Sequence, residues 1–122
     1  RSNTPIDMGR VYTGLIIDAR GTEAQPAMSP RVFDESGSEL YGSAYVEQEF
    51  VLKHGMAGYV KDLEQAETND RVAGNPLTVR AVGVAGKNKT DIILADQDAA
   101  RIRQLAANLN FLREARVVVL VD

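Results

Sequence analysis

The stretch Val117-Val118-Val119-Leu120-Val121 carries no polar residue at any position. A strand with one face in water alternates apolar and polar side chains, so an unbroken run of this length marks a strand covered on both faces, inside a sheet rather than at its edge. A sheet built around this buried C-terminal strand is the starting expectation.

Upstream of it, Ala99, Ile102, Leu105, Ala106 and Leu109 form one stripe at helical spacing. Asp96 stands where an N-cap is wanted and Asp98 falls in a first turn favoured by the helix dipole, which predicts a helix over 97–109. Leu77–Val84 and Asp91–Leu94 read as two strands around the polar turn Gly86-Lys87-Asn88-Lys89, a hairpin. Another hairpin is predicted where Arg31–Phe33 and Glu39–Val46 flank Asp34-Glu35-Ser36-Gly37-Ser38, because Gly37 can supply the positive φ of a tight turn. From Glu47 onward, Phe50, Val51, Met56, Tyr59, Val60, Leu63 and Ala66 roughly follow amphipathic helical spacing. Gly55 and Gly58 interrupt it, each costing a helix about 1 kcal/mol relative to alanine, so a break is expected there with Met56–Val60 extended.

Nearer the start, Val11–Asp18 is rich in β-branched residues and reads as a strand with Val11, Thr13, Leu15 and Ile17 on one face. Residues 19–30 then hold Gly21, Pro26 and Pro30, a connection too long and too broken to continue a ladder, and long ordered loops are often functional. Residues 1–10 form a polar arm whose apolar content is Ile6 and Met8. The fold class expected is α+β: a mainly antiparallel sheet with two hairpins and a buried C-terminal strand, helices packed on one face, with residues 11–122 as a single domain.

A chain of 122 residues with 44% hydrophobic and 25% charged residues matches ordinary globular composition and one core. Its net charge of −3 leaves no basic surplus for a phosphate backbone, which argues against nucleic acid as a partner. The absence of cysteine rules out a disulfide framework, a thiolate zinc site and a cysteine nucleophile. No apolar run approaches the ~18 residues of a membrane span. The chain opens Arg1-Ser2-Asn3-Thr4-Pro5, without initiator methionine or signal-like stretch, as a processed or trimmed product would.

Catalytic motifs are thin. His54 is the single histidine, so no histidine pair at metal-ligand spacing exists, and a solvated helix-face histidine is the default. Asp18, Asp34, Glu35, Asp96 and Asp98 supply carboxylates for acid–base work, yet Asp34 suits a turn and Asp96 a helix cap. Ser36-Gly37-Ser38 and Gly42-Ser43 lack the flanking glycines of a nucleophile elbow. Gly83-Val84-Ala85-Gly86-Lys87 has neither the glycine spacing nor the hydroxyl residue of a phosphate loop and suits a hairpin turn; its likeness to the glycine loop of a KH module is opposed by the acidic charge. Asn88-Lys89-Thr90 is a glycosylation sequon, meaningful only in a host that modifies it. Asp18-Ala19-Arg20-Gly21 sets a carboxylate and a guanidinium at the mouth of the long loop, either to receive an anionic or carboxylate-bearing partner or to form an internal salt bridge that orders the loop. No metal or cofactor is implied.

Three segments together resemble a known family: Tyr12–Gly21 (YTGLIIDARG), Pro26–Asp34 (PAMSPRVFD) and Asn75–Val79 (NPLTV). Asp91–Leu94, Asp98–Ile102 and Phe111–Asp122 fit as well. The pattern is similar to the small bacterial outer-membrane and envelope lipoproteins that include the flagellar basal-disk protein FlgP and its relatives. That resemblance implies an exported protein without catalysis, located in the periplasm, outer membrane or cell surface, whose relatives assemble into rings or other repeats around envelope machinery. The family carries an acylated cysteine after its signal peptide; this chain has none, so either a lipid anchor lies upstream of Arg1 or this member is secreted without lipid. The function expected is thus a non-catalytic structural protein that self-assembles into a ring, tube or filament, a homo-oligomer with envelope or flagellar partners. Strand addition at hairpin edges and docking of Ile6 and Met8 on a neighbouring subunit would serve it. The alternative is a monomeric binding module that holds a peptide, glycan or protein with the 20–30 loop, using Asp18, Arg20, Met28 and Arg31.

Overall fold

Two apolar runs lie side by side in the sheet, β1 (Gly14–Asp18) and β7 (Val117–Leu120). In the computed structural model, which describes Ile6 and residues 9–122 with the side chains of residues 108 and 109 excepted, they pair in parallel, with Ile16 beside Val118 and Ile17 beside Val119. Leu15, Ile16, Ile17, Val118 and Leu120 are fully buried. The remaining elements are β2 (Val32–Asp34), β3 (Glu39–Tyr41), a 3₁₀ turn (Ser43–Tyr45), α1 (Gln48–His54), β4 (Gly58–Val60), α2 (Leu63–Glu67), β5 (Pro76–Ala85), β6 (Asp91–Leu94) and α3 (Asp96–Leu109). The result is a mixed α/β fold in which, among the described residues, seven strands form one mixed sheet in the order β3-β2-β6-β5-β1-β7-β4.

Both expected hairpins form: β2–β3 and β5–β6 are antiparallel, turning at Gly37 (φ 90°) and Gly86 (φ 86°). The expectation of a mainly antiparallel sheet holds only for those two ladders. Among the described residues, β1–β5, β1–β7, β4–β7 and β2–β6 are parallel. The continuous apolar runs of β1 and β7 are the composition of parallel strands covered on both sides.

The helices correspondingly lie on both faces, not on one. Ala99, Ile102 and Leu105 of α3 join Leu15, Ile17, Leu77, Val79, Val117 and Val119 in the larger core cluster. Ala66 of α2, with partly buried Leu63, joins Ile16, Val118 and Leu120 in the smaller one. Residue parity decides this, since successive strand residues point to opposite faces and a strand with two apolar parities needs two covers.

β5 is ten residues long and serves two ladders in succession. Pro76–Arg80 pairs with β1, then Ala81–Ala85 pairs with β6 beyond a register shift between Ala81 and Gly83. Such irregularities bend a strand. The sheet turns enough for Tyr41 on β3 to donate its hydroxyl to Met56 O (2.7 Å), close to β4 at the other end of the strand order.

Some boundaries differ from expectation. β1 begins at Gly14, and Val11 is 66% exposed, because Thr13 turns aside: its hydroxyl donates to Val72 O (2.7 Å) and accepts from Asn75 N (2.8 Å). The break at Gly55 and the extended β4 are found as expected, with Gly55 at φ 75° ending α1. Asp96 is not the N-cap of α3. That position is Ala95, whereas the Asp96 carboxylate accepts from Ser36 N (3.1 Å) and Ser36 Oγ (2.9 Å). Glu35 Oε1 in turn accepts from Asp96 N (3.1 Å), so the first hairpin's turn supplies the cap from a distance. Of the arm, Ile6 packs against the larger core of its own chain and Arg10 Nη2 donates to Asn75 Oδ1 (2.8 Å); Met8 and the Leu109 side chain lie outside the described residues.

A Cβ added at Gly14 would stand 2.6 Å from Val72 Cβ and 2.7 Å from Val72 Cα, and no rotamer change relieves contact with a backbone atom. Gly14→Ala is therefore expected to destabilise the fold by about 1–3 kcal/mol, the usual cost of overpacking a filled core. A lowered urea midpoint at unchanged m-value checks this; an unchanged midpoint contradicts it.

Candidate functional site

The carboxyl end of β1 carries the constellation that the sequence singled out. β1 and β5 are in parallel register with Asp18 opposite Arg80, and the alternation of buried Leu77, Val79 and Ala81 puts Arg80 on the same face as Asp18. Asp18 Oδ1 accepts from Arg20 Nε (3.0 Å) and Arg20 N (3.2 Å), and Oδ2 from Arg20 Nη2 (2.9 Å) and Arg80 Nη1 (3.2 Å). Arg80 Nη2 also donates to Arg20 O (3.1 Å). An ionised carboxylate offers about four acceptor sites, and all are taken. Of the two readings of Asp18-Ala19-Arg20-Gly21, the geometry is that of the internal salt bridge that orders the loop.

The same ordering runs along residues 19–31. Gly21, at φ 84°, donates its amide to Asp122 Oδ2 (2.9 Å), and Thr22 Oγ1 donates to Ala19 O (2.5 Å). Gln25 N donates to Lys89 O (2.9 Å) in the β5–β6 turn, where Lys89 also pairs with Glu23. Ala24 and Pro30 are buried. At the loop's end Arg31 does not join Asp18 and Arg20. Its Nη2 pairs with Asp91 Oδ2 (3.1 Å), and its guanidinium lies over the Phe33 ring, 5.3 Å from the centroid. Met28, in contrast, is 95% exposed, the highest value of any large apolar side chain described. A thioether held in water on a pinned loop contributes nothing to this chain's own core.

The other flagged groups have local roles. Asp34 accepts from Ser38 N (2.8 Å) within its turn and pairs with Arg103 Nη2 on α3 (3.1 Å); the Ser38 amide is the main influence lowering its pKa. His54 is exposed in the last turn of α1. Among the described residues, no three His, Cys, Asp or Glu side chains gather as a metal site. Among the described residues, of the four hairpin strands only β3 is at a sheet edge, since β2, β5 and β6 each have two neighbours. The edges β3 and β4 are three residues each, as protein edges commonly are where unwanted pairing is avoided.

Arg80 was the member of the Asp18 group that sequence reading missed. The alternation in Leu77-Thr78-Val79-Arg80-Ala81 signals its face, but only the strand register supplies its partner.

The arginines around Asp18 lower its pKa from 3.8, chiefly through the Arg20 side-chain hydrogen bonds. A carboxylate with a depressed folded pKa stabilises the fold above its unfolded value and loses that contribution as pH falls through the folded one. Asp18→Asn is accordingly expected to cost about 1.5–3 kcal/mol at neutral pH, the range for hydrogen bonds to charged groups. The deficit should shrink below about pH 4 in urea titrations. A deficit that does not change with pH contradicts the assignment.

In comparison with known proteins, the profile of the second domain of Treponema pallidum Tp0624 matches residues 14–122, from the first residue of β1 to the end of the sequence. No curated protein matches the chain. The match takes in every strand and helix described above, and the chain belongs to the family of the Treponema pallidum Tp0624 second domain.

Proposed function

We propose that this domain is a non-catalytic structural protein of the bacterial envelope that self-associates, and that residues 19–31 make the contact between copies. The observation that carries the proposal is Met28, 95% exposed on a loop whose backbone and flanking side chains are fixed on both sides of it. An apolar side chain displayed on an ordered segment loses little conformational freedom on burial, which is the economy of an interface anchor. Methionine suits such a contact because its flexible thioether adapts to the partner surface.

One further point supports the envelope setting. The residues of Tyr12–Gly21, Pro26–Asp34 and Asn75–Val79 resemble the envelope lipoproteins that include FlgP. Among the described residues no helix is long and apolar enough to cross a membrane.

The test is the particle mass by light scattering across a dilution series, with negative-stain microscopy of the same sample. The proposal expects mass to rise with concentration above 13.3 kDa, and Met28→Asp to shift the chain toward monomer without changing the urea midpoint measured at dilutions where the parent is also monomeric. A 13.3 kDa particle at every concentration, or Met28→Asp assembling like the parent, overturns it. The first of those outcomes leaves the loop as the contact surface of a monomeric module.

A further inference from the structure

Away from the 19–31 loop, a cleft of about 380 Å³ opens where the end of α1, the turn before β5 and the segment entering β7 meet. Its size falls within the range of small-ligand pockets. Phe50 and His54 line it from α1, four positions apart and therefore on one helix face. Arg71 and Arg116 line it from the other two segments, with Asp70 and Glu114 beside them.

Arg71 is the unusual member. Its Nε donates to Ala115 O (2.8 Å) and its Nη2 to Gly55 O (2.5 Å), which fixes the guanidinium between the cap of α1 and the segment entering β7. Both partners are neutral carbonyls. Among the described residues no carboxylate forms an ion pair with it, although the side chain is half-buried and burial pulls its pKa down. Arg116 is engaged through Nε, which donates to Glu114 Oε1 (2.8 Å); its two Nη groups make no hydrogen bond to any described residue. A partly buried cation without a counter-ion is costly unless something negative reaches it.

We propose that this cleft binds a small carboxylate, held by the guanidinium groups of Arg71 and Arg116 with its apolar body against Phe50. The planar guanidinium fork matches a carboxylate in two-point contact, and Arg71 is pre-positioned by its two carbonyl bonds, so little ordering is needed on binding. His54 adds a donor at the rim. Asp70 and Glu114, which also line the cleft, repel a doubly charged anion more than a singly charged one, which sets a carboxylate above a phosphate. A free organic acid and the terminal carboxylate of a peptide present the same chemistry.

The test is amide NMR of the isotopically labelled full chain, titrated separately with sodium benzoate, a tripeptide ending in phenylalanine, sodium phosphate and sodium chloride at matched ionic strength. The expected result is saturable benzoate shifts concentrated at His54, Arg71, Ala115 and Arg116, with none on chloride. Saturation by the tripeptide as well identifies a chain terminus as an acceptable source, and saturation by benzoate alone restricts the site to free acids. Arg116→Gln should weaken binding about tenfold, the loss expected of one charge-assisted hydrogen-bonded contact. Arg116 makes no backbone-fixing side-chain bond, so this variant stays informative where Arg71→Met fails to fold. Absence of saturable shifts with benzoate, stronger saturation by phosphate than by benzoate, or unchanged affinity in Arg116→Gln overturns the proposal.

Discussion

Burial of β1 and β7 on both faces is the constraint on which the rest of the structure depends. Each strand presents apolar residues at both parities, Leu15 and Ile17 against Ile16, Val117 and Val119 against Val118 and Leu120. Neither strand can lie at a sheet edge or over solvent without exposing several of these side chains, at about 1.5–3 kcal/mol for each large one. Two covers are therefore required. α3 supplies one through Ala99, Ile102 and Leu105, and the short α2 supplies the other through Ala66 and Leu63. The requirement also explains Gly14, whose missing side chain lets Val72 close against the strand on the second face.

From that pair the architecture extends through β5. Its first half lies beside β1 and its second half carries β6, so one ten-residue strand joins the parallel region to the hairpin region. Asp18 and Arg80 close the β1–β5 ladder at its carboxyl end and, with Arg20, fix the departure of the long loop. A charged triad at this position does its work through geometry: the loop leaves in one direction, reaches Lys89, and holds Met28 outward. The proposed interface and the internal ion pairs are thus two consequences of one arrangement.

Much of this was legible in the residues. The two hairpins, the break at Gly55, the extended segment that became β4 and the amphipathic α3 all follow from local turn chemistry and periodicity, which act over a few residues. Strand direction and helix side did not emerge, because they depend on which distant strands pair. Val117–Val121 already demanded cover on two faces, and assigning all helices to one face neglected that demand. Asp96 looked like a cap because an aspartate before an amphipathic stripe usually is one; here Ser36, sixty residues away in sequence, took its carboxylate and Glu35 took over the capping. Of the candidate site, Asp18 and Arg20 could be read as a pair, whereas Arg80 and the Arg71–Arg116 cleft are assembled only by the fold.

Two surface features bear on function among the described residues: the tip of the 19–31 loop, and a cleft with an uncompensated guanidinium near the opposite ends of the same central strands. Both are positioned by β1 and β7, so the stability of that pair is the premise of every functional reading above. Native-state hydrogen exchange tests it most directly, because amides of the last cooperative unit to open exchange only through global unfolding. The amides of residues 15–18 and 117–120 are predicted to be the slowest in the chain, with the 19–31 loop and β3 exchanging through smaller openings. Exchange at β1 and β7 as fast as in the β2–β3 hairpin would contradict the central place given to them.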